Sequence, residues 1–185
     1  MAQNSPTASN SSAFAHLEAD ERLAAEVPGI EHAEPRRVER VSVIGAGTMG
    51  SGIAACLADA GLSVDLLEQD ASAAMAGAAR VQALYASRVQ RGRLAEQEAA
   101  SRLDRIRATD DWGAVQAADM VIEAAFEDMS VKAAIFARLD ALARPGTVLA
   151  TNTSYLDVDA IAAATRRPED VLGLHFFSRA CHAAA

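Results

Sequence analysis

Two side chains with the chemistry for proton transfer stand near the ends of predicted strands. His175 lies in the apolar run Leu174–Phe177, and Ser154 lies in a polar loop with Asn152 and Thr153. A histidine titrates near neutral pH, so at a strand end it is suited to act as a general base. From the residues alone the alternatives stay open, because a lone histidine in such a run is more often structural and Ser154 can cap a helix.

A glycine-rich segment, Gly45–Gly50, has the pattern Gly-x-Gly-x-x-Gly. It follows the β-branched run Val41–Ile44 and opens a helical pattern, and Glu68 closes the next predicted strand 23 residues after Gly45. Such a turn lets the backbone approach a pyrophosphate at a helix N-terminus, while the carboxylate accepts hydrogen bonds from ribose hydroxyls. A 2′-phosphate would meet a like charge at Glu68, so the pattern predicts NAD and not NADP. A glycine turn without a ligand is the alternative.

Three charged residues, Glu123, Glu127 and Lys132, surround the end of the fourth predicted strand. Ligands of open α/β sheets bind outside the carboxyl ends of the strands, which makes these residues candidates for a binding site. The charge pattern alone fits solvated side chains as well.

Strand-like and helical segments alternate from residue 38 onwards. Short β-branched or apolar runs predict strands, longer runs with helical spacing predict helices, and Gly61 is expected to end the first helix. This alternation predicts an α/β fold with a Rossmann-type, doubly wound parallel sheet and helices on both faces. The predicted strands are 41–44, 64–68, 106–109, 119–123, 147–151 and 171–177, and the predicted helices are 48–60, 71–91, 96–105, 130–143 and 158–165.

The sequence indicates one domain with short additions at both ends. The 185 residues are 51% hydrophobic and 23% charged, which is typical of a globular protein. Residues 1–38 begin with an Asn- and Ser-rich stretch and form a predicted disordered or linker extension. Residues 39–178 form the predicted nucleotide-binding domain, and residues 179–185 form an aberrant tail.

The charge and the cysteines limit the classes of partner. The net charge of −8, without a visible basic face, argues against nucleic acid and against anionic membrane surfaces. The uncharged stretch 41–58 is interrupted by glycines and hydroxyl residues, so no membrane span is predicted. Cys56 and Cys181 lie far apart without metal-ligand spacing, so we expect no metal site and a cytoplasmic location.

Four motifs occur in the order and spacing of a known family. They are Val43–Gly50, Val121–Ala124, Asn152–Ser154 and Gly173–Phe177. Together they resemble the NAD-binding domain of the 3-hydroxyacyl-CoA dehydrogenases of fatty-acid β-oxidation, over about residues 38–178. The stretch 14–30 also resembles the connector that precedes this domain in the multifunctional fatty-oxidation proteins.

The resemblance implies a cofactor, a substrate and a role for each matched residue. The cofactor is NAD and the substrate is a 3-hydroxyacyl-CoA, whose 3-hydroxyl proton His175 takes while Ser154 contacts substrate and nicotinamide. The segment Arg88–Leu94 matches the region along which the CoA of the family passes. The residues implied to bind NAD are Gly45, Gly47, Met49 and Gly50 at the pyrophosphate, Glu68 at the ribose, Ala125, Phe126, Glu127, Lys132 and Ser154 on the nicotinamide side, and Ser178, which fits the Asn or Ser of the family.

The C-terminal end departs from the family pattern. Arg179 stands where the family has a proline, and Ala185 is the last residue, before the glutamate that orients the histidine in the family. We therefore expect a truncated fragment whose tail is a frameshift product, with a truncated gene and a random tail as the alternative. We also expect little activity, and weak self-association through apolar surface near 172–177 that the missing helical C-terminal domain would cover.

Two other functions remain open at this point. One is a catalytically inactive NAD-binding remnant of a truncated or frameshifted gene. The other is a different β-hydroxyacid dehydrogenase with a similar glycine fingerprint, against which the segment Gly173–Phe177 argues.

Overall fold

The structure is a computed structural model that describes residues 33–177 without a break. Before residue 33 it describes five residues, which are His16, Ala19, Asp20, Leu23 and Gly29. The chain divides into two units, Met1–Arg36 and Arg37–Ala185. Most of the predicted extension 1–38, together with Ser178 and the tail 179–185, lies outside the described residues, so the predictions for these segments stay predictions.

In the part of the chain that the structure describes, six parallel strands form one sheet in the order β3-β2-β1-β4-β5-β6. From β1 the chain builds one half of the sheet through β2 and β3, and then crosses to β4 on the other side of β1. This order confirms the predicted doubly wound α/β fold. The strands are β1 Arg40–Ile44, β2 Ser63–Leu67, β3 Ile106–Thr109, β4 Met120–Glu123, β5 Val148–Thr151 and β6 Val171–Gly173.

Within residues 33–177, five α-helices connect the strands, close to the predicted boundaries. Aspartate side chains cap three of them, because Asp70, Asp128 and Asp157 accept hydrogen bonds from amides of the first turn. Gly61 follows the first helix with a φ of 89°, as predicted for a C-terminal glycine. The helices are α1 Thr48–Asp59, α2 Ala71–Gln90, α3 Glu96–Leu103, α4 Met129–Leu142 and α5 Val158–Ala162.

The alternation of side chains along each strand divides the core between the two faces of the sheet. Val43 of β1 packs in one cluster with Ile53 of α1 and Tyr85 of α2. The next residue, Ile44, packs in a second cluster with Phe136 of α4. Adjacent residues of a strand point to opposite faces, so a sheet covered on both sides needs apolar residues at consecutive positions. No helix among the described residues is both long and apolar enough to cross a membrane.

The last strand is shorter than predicted. The prediction of a strand as far as Phe177 is wrong, because β6 ends at Gly173. The Leu174 amide still donates to the carbonyl of Thr151 at 2.9 Å, but β5 itself ends there. The Phe176 amide donates instead to the side-chain Oδ1 of Asn152 at 2.7 Å. His175 therefore lies on an irregular segment beyond the carboxyl edge of the sheet.

Candidate functional site

In the glycine turn between β1 and α1, backbone atoms approach one another so closely that two of the positions require glycine. Gly45 has a φ of 94°, and its amide donates to the carbonyl of Leu67 at 2.8 Å. A Cβ atom on Gly50 would lie 1.7 Å from the carbonyl oxygen of Gly45, so no side chain fits there. Around Gly47, in contrast, a Cβ atom would meet nothing within 4 Å. The first and third glycines shape the turn, and the second leaves space beside it.

Glu68 directly follows β2 and faces this turn. Its Oε1 accepts a hydrogen bond from the Ala46 amide at 2.7 Å, and its Oε2 accepts one from the Gln69 amide at 3.2 Å. The amide of Glu68 donates to the carbonyl of Thr109 at 3.0 Å, which fixes the backbone of Glu68 against the end of β3. The carboxylate predicted to bind a ribose thus stands beside the turn predicted to bind a pyrophosphate.

A cleft of about 800 Å³ runs along the carboxyl edge of the sheet, where β1 lies between β2 and β4. This position is the switch point at which open α/β sheets bind ligands. No side chain caps the N-terminus of α1, which leaves its amides for an anionic ligand. The open space at Gly47 and the carboxylate of Glu68 complete a cradle that fits a dinucleotide. The lining residues are Ile44, Gly45, Gly47, Thr48, Met49, Leu67, Glu68, Gln69, Trp112, Ala124, Ala125, Phe126, Val131, Ala134 and Ile135.

Glu123 and Lys132 form a buried ion pair below this cleft. The Nζ of Lys132 lies 2.8 Å from both carboxylate oxygens of Glu123, and the exposed fractions of the two side chains are 1% and 0%. The Thr151 hydroxyl and the Ala125 amide each donate to the Glu123 carboxylate at 2.7 Å. The interpretation of these two residues as solvated charges is therefore wrong, because further hydrogen bonds satisfy the pair inside the protein.

Glu127 connects the buried pair to the loop after β5. Its Oε2 lies 3.2 Å from Nζ of Lys132, while its Oε1 accepts hydrogen bonds from the Thr153 hydroxyl at 2.6 Å and the Ser154 amide at 2.7 Å. Partial burial raises the pKa of Glu127, but these two hydrogen bonds and the Lys132 ammonium lower it by more. The net pKa of Glu127 lies below its usual value, and the ionised carboxylate holds the loop.

Ser154 and His175 meet at the end of this network. The Oγ of Ser154 lies 3.1 Å from Nε2 of His175, and both residues are exposed. The side chain of Asn152 accepts the hydrogen bond from the Phe176 amide and so fixes the segment that carries His175. The ring centroids of His175 and Phe177 are 4.5 Å apart. A neutral imidazole beside a hydroxyl at an open surface can accept a proton from an alcohol bound next to both groups.

Six of the residues predicted to bind NAD line the cleft, namely Gly45, Gly47, Met49, Glu68, Ala125 and Phe126. Gly50 packs against the carbonyl of Gly45, Glu127 and Ser154 belong to the network beyond β4 and β5, and Ser178 lies outside the described residues. Lys132 is buried beneath the cleft with its ammonium on two carboxylates, and a direct contact between Lys132 and the cofactor stays a prediction.

The sequence contains no sign of the support that Glu127 and Asn152 give to the loops that carry Ser154 and His175. The predictions also left out Gly77 of α2, where a Cβ atom would lie 2.3 Å from the Cβ of Ala46. A glycine inside a long helical pattern was the available signal for this close approach.

A second groove, of about 430 Å³, lies between α1 and α2 and the segment that follows α2. Thr48 lines both this groove and the cleft. The Arg80 guanidinium donates to the carbonyl of Ala46 at 3.0 Å, and Arg88 forms an ion pair with Asp59 at 2.6 Å. The groove thus offers cationic groups next to the glycine turn. Its four arginines are Arg80, Arg88, Arg91 and Arg93.

The sheet order, the glycine turn and the carboxylate after β2 define a dinucleotide-binding domain of the dehydrogenase class. The chain belongs to the family described as 3-hydroxyacyl-CoA dehydrogenase, NAD binding domain, whose model matches residues 40–182. NAD is accordingly its cofactor, as the sequence predicted.

Relatives and solved structures agree with this family. The chain is 45% identical over 143 residues to the 3-hydroxyadipyl-CoA dehydrogenase of Escherichia coli, covering 77% of this chain and 30% of the relative. It is 40% identical over 141 residues to a probable 3-hydroxybutyryl-CoA dehydrogenase of Bacillus subtilis, covering 76% of this chain and 49% of the relative. The crystal structure of FadB2 from Mycobacterium tuberculosis is 41% identical, with a TM-score of 0.75 over 77% of this chain and 50% of that one.

A plant relative connects the family to a pathway. The glyoxysomal fatty acid β-oxidation multifunctional protein MFP-a of Brassica napus is 35% identical over 167 residues, which are 89% of this chain and 23% of the relative. The chain thus spans about a quarter to a half of the length of the curated relatives it matches.

Proposed function

We propose that the chain is the NAD-binding part of an enzyme that oxidises (3S)-3-hydroxyacyl-CoA to 3-oxoacyl-CoA in fatty-acid β-oxidation. The observation that carries the proposal is the 3.1 Å contact between Ser154 and His175, which follow β5 and β6 at the same carboxyl edge of the sheet as the cleft. The names of the relatives support the substrate class. The proposal includes a cytoplasmic location, although one relative is named as a glyoxysomal protein.

The loops after β5 and β6 have different roles in the proposed reaction. Bound NAD supplies the hydride acceptor. His175 takes the proton of the 3-hydroxyl group while the hydride leaves C3, the carbon that carries this hydroxyl. The Ser154 hydroxyl forms a hydrogen bond with the same substrate oxygen. Glu127 keeps the Ser154 backbone in place, and Asn152 does the same for the segment around His175. Ser154 and His175 are both exposed, which leaves space for a substrate beside them.

The cofactor residues take their proposed places along the cleft. The adenosine ribose hydroxyls would donate to Glu68, and the pyrophosphate would lie in the open space beside Gly47. Ala125 and Phe126 follow β4 and would line the nicotinamide side. In this proposal Lys132 acts through Glu127, because its ammonium is held by carboxylates.

The second groove, between α1 and α2, is the proposed binding site for the CoA moiety. Its guanidinium groups offer paired donors to phosphate oxygens, and it contains Arg88, Arg91 and Arg93 from the segment 88–94 matched by the resemblance. The acidic net charge of the chain does not prevent this, because the charges that matter are local.

Binding of NAD without catalysis is the second candidate function. It is favoured by the exposure of the residues proposed to surround the nicotinamide and the substrate. The exposed fraction of Phe126 is 78%, and His175 is also exposed. Hydride transfer is normally carried out in a site closed to water. We therefore expect slow turnover by this chain.

The test is a titration with NAD followed by an assay of NADH formation from (S)-3-hydroxybutyryl-CoA. Turnover that His175→Ala and Ser154→Ala each reduce by about 10²-fold or more supports the enzyme. Binding of NAD without turnover supports the second candidate. Failure to bind NAD contradicts both.

Self-association is a further part of the proposal. Leu172 and Phe177 have exposed fractions of 40% and 64%, and Tyr155 has 76%. Contiguous exposed apolar surface promotes association, and Leu172 and Phe177 lie in the segment predicted to provide it. Sedimentation at increasing concentration checks this, and a monomer throughout the range would contradict it.

A further inference from the structure

The turn after β3 places an indole at the edge of the cleft. The Thr109 hydroxyl accepts a hydrogen bond from the Asp111 amide at 3.0 Å, and Oδ1 of Asp111 accepts one from the Gly113 amide at 2.8 Å. These two bonds fix the start of the short 3₁₀ helix Trp112–Ala117. Trp112 lines the cleft together with Gln69 and Ile135.

Trp112 is held in place by a cation. The guanidinium carbon of Arg138 on α4 lies 3.8 Å from the centroid of the indole ring, which is the geometry of a cation–π contact. Within residues 33–177, the buried indole Nε1 has no hydrogen-bond partner. Packing, and not a hydrogen bond of its N–H group, therefore fixes this ring.

The topology puts Trp112 and His175 at opposite ends of the site. Trp112 follows β3 and His175 follows β6, and these are the two edge strands of the sheet. Glu68 is joined to the end of β3 through Thr109, so the ribose position lies on the Trp112 side. A dinucleotide with its reacting ring near His175 has its adenine beyond Glu68. Arg138 brings α4 against Trp112. The cleft lining that α4 and the 3₁₀ helix provide is apolar and consists of Trp112, Val131, Ala134 and Ile135.

We propose that Trp112, held by Arg138, is the residue that recognises the adenine ring in this cleft. A flat indole offers a purine a large contact area at low conformational cost, and Arg138 fixes the indole before the ligand arrives. Recognition is by packing, so the ring of Trp112 is needed and its N–H group is not. The inference rests on the proposed placement of NAD along the cleft.

The chain contains one tryptophan, so its fluorescence reports on this position alone. We expect AMP and ADP-ribose to change the emission of the full chain in a saturable manner, and nicotinamide mononucleotide, which lacks adenosine, to leave it unchanged. An emission that AMP does not change, or that the mononucleotide changes equally, overturns the inference.

Variants provide the second measurement, with affinities from calorimetry. Trp112→Ala should bind NAD, ADP-ribose and AMP about tenfold more weakly, and Trp112→Phe should bind them within about threefold of the natural chain. Phe126→Ala, at the other aromatic residue of the cleft, is the matched control and should weaken NAD while leaving AMP unchanged. Unchanged AMP binding by Trp112→Ala refutes the role of Trp112 while the proposed function stands, whereas a natural chain that binds no NAD refutes both.

Discussion

The two halves of the candidate site are held together by different kinds of contact. In the segment 40–68 the important contacts involve the backbone, as in the space at Gly47 and the bond from the Ala46 amide to Glu68. In the segment 120–177 they join side chains far apart in sequence, such as Glu127 and Thr153.

This difference determines how each half responds to substitution. In the glycine turn of the first half, the sensitive positions are those where a Cβ atom would meet the backbone. The second half depends on charges that compensate one another in a buried place, so removal of one partner leaves the other without its counter-ion. The four predictions below test this division, from the largest expected effect to the smallest.

Removal of the buried ammonium should have the largest effect. Lys132→Met leaves the carboxylate of Glu123 buried without its counter-ion, and we expect the free energy of unfolding to fall by about 3–5 kcal/mol. Urea unfolding followed by circular dichroism measures this.

A surface ion pair is the control for this prediction. Arg166 pairs with Asp140 at 2.8 Å, and the exposed fraction of the arginine side chain is 83%. Arg166→Met should therefore cost less than about 1 kcal/mol. Equal losses for Lys132→Met and Arg166→Met would contradict the importance of burial. Addition of Glu123→Gln to Lys132→Met should restore part of the stability.

The third glycine of the turn should be the most sensitive position of the first half. Gly50→Ala places a Cβ atom 1.7 Å from the carbonyl oxygen of Gly45, so the backbone must move. We expect a loss of about 3 kcal/mol, at the upper end of overpacking effects, visible in thermal unfolding.

Gly47→Ala is the matched variant in the same turn. Gly47 has a φ of −65°, which alanine adopts readily, and a Cβ atom meets nothing within 4 Å. Stability should stay within about 1 kcal/mol of the natural chain, while NAD affinity should fall about tenfold. A Gly47→Ala chain that binds NAD normally would show that the pyrophosphate does not approach this space.

Glu68 should set the preference for NAD over NADP. A 2′-phosphate near its carboxylate meets a like charge, and such a contact costs on the order of 1 kcal/mol or more near a protein surface. We expect the natural chain to prefer NAD about tenfold or more, and Glu68→Gln, which keeps a hydrogen-bond acceptor, to narrow this gap. Calorimetric titrations with both nucleotides decide, and equal affinities for the natural chain would contradict the assignment.

The smallest effect concerns acid pH and the loop held by Glu127. Its folded pKa is lowered by hydrogen bonds from Thr153 and Ser154 and by Lys132, which outweigh the effect of burial. The carboxylate therefore contributes stability above its unfolded pKa of about 4.3, and this contribution is lost as the pH falls through the lower folded pKa. Between pH 6 and pH 3 the natural chain should lose more stability than Glu127→Gln. Parallel acid titrations would contradict this.

The sequence predicts the local parts of the structure well. The glycine turn, the glycine that ends α1 and the strand boundaries of β1 and β3 depend on residues close in the chain, so a pattern of a few residues identifies them. The pairing of Glu123 with Lys132 and the end of β6 depend on contacts over 9 to 28 residues, such as the bond from Phe176 to Asn152 across 24. A periodic pattern contains no information about such distant contacts, and the strand predicted for 171–177 is therefore longer than β6.

The hydrogen bond between the Ala46 amide and the Glu68 carboxylate has a consequence for the rate of cofactor exchange. It ties the turn to the end of β2, so the loop is already ordered when a ligand arrives and loses little conformational entropy on binding. Encounter then requires no slow rearrangement of this segment, and differences in affinity among variants of the turn should be expressed in the lifetime of the complex more than in its rate of formation.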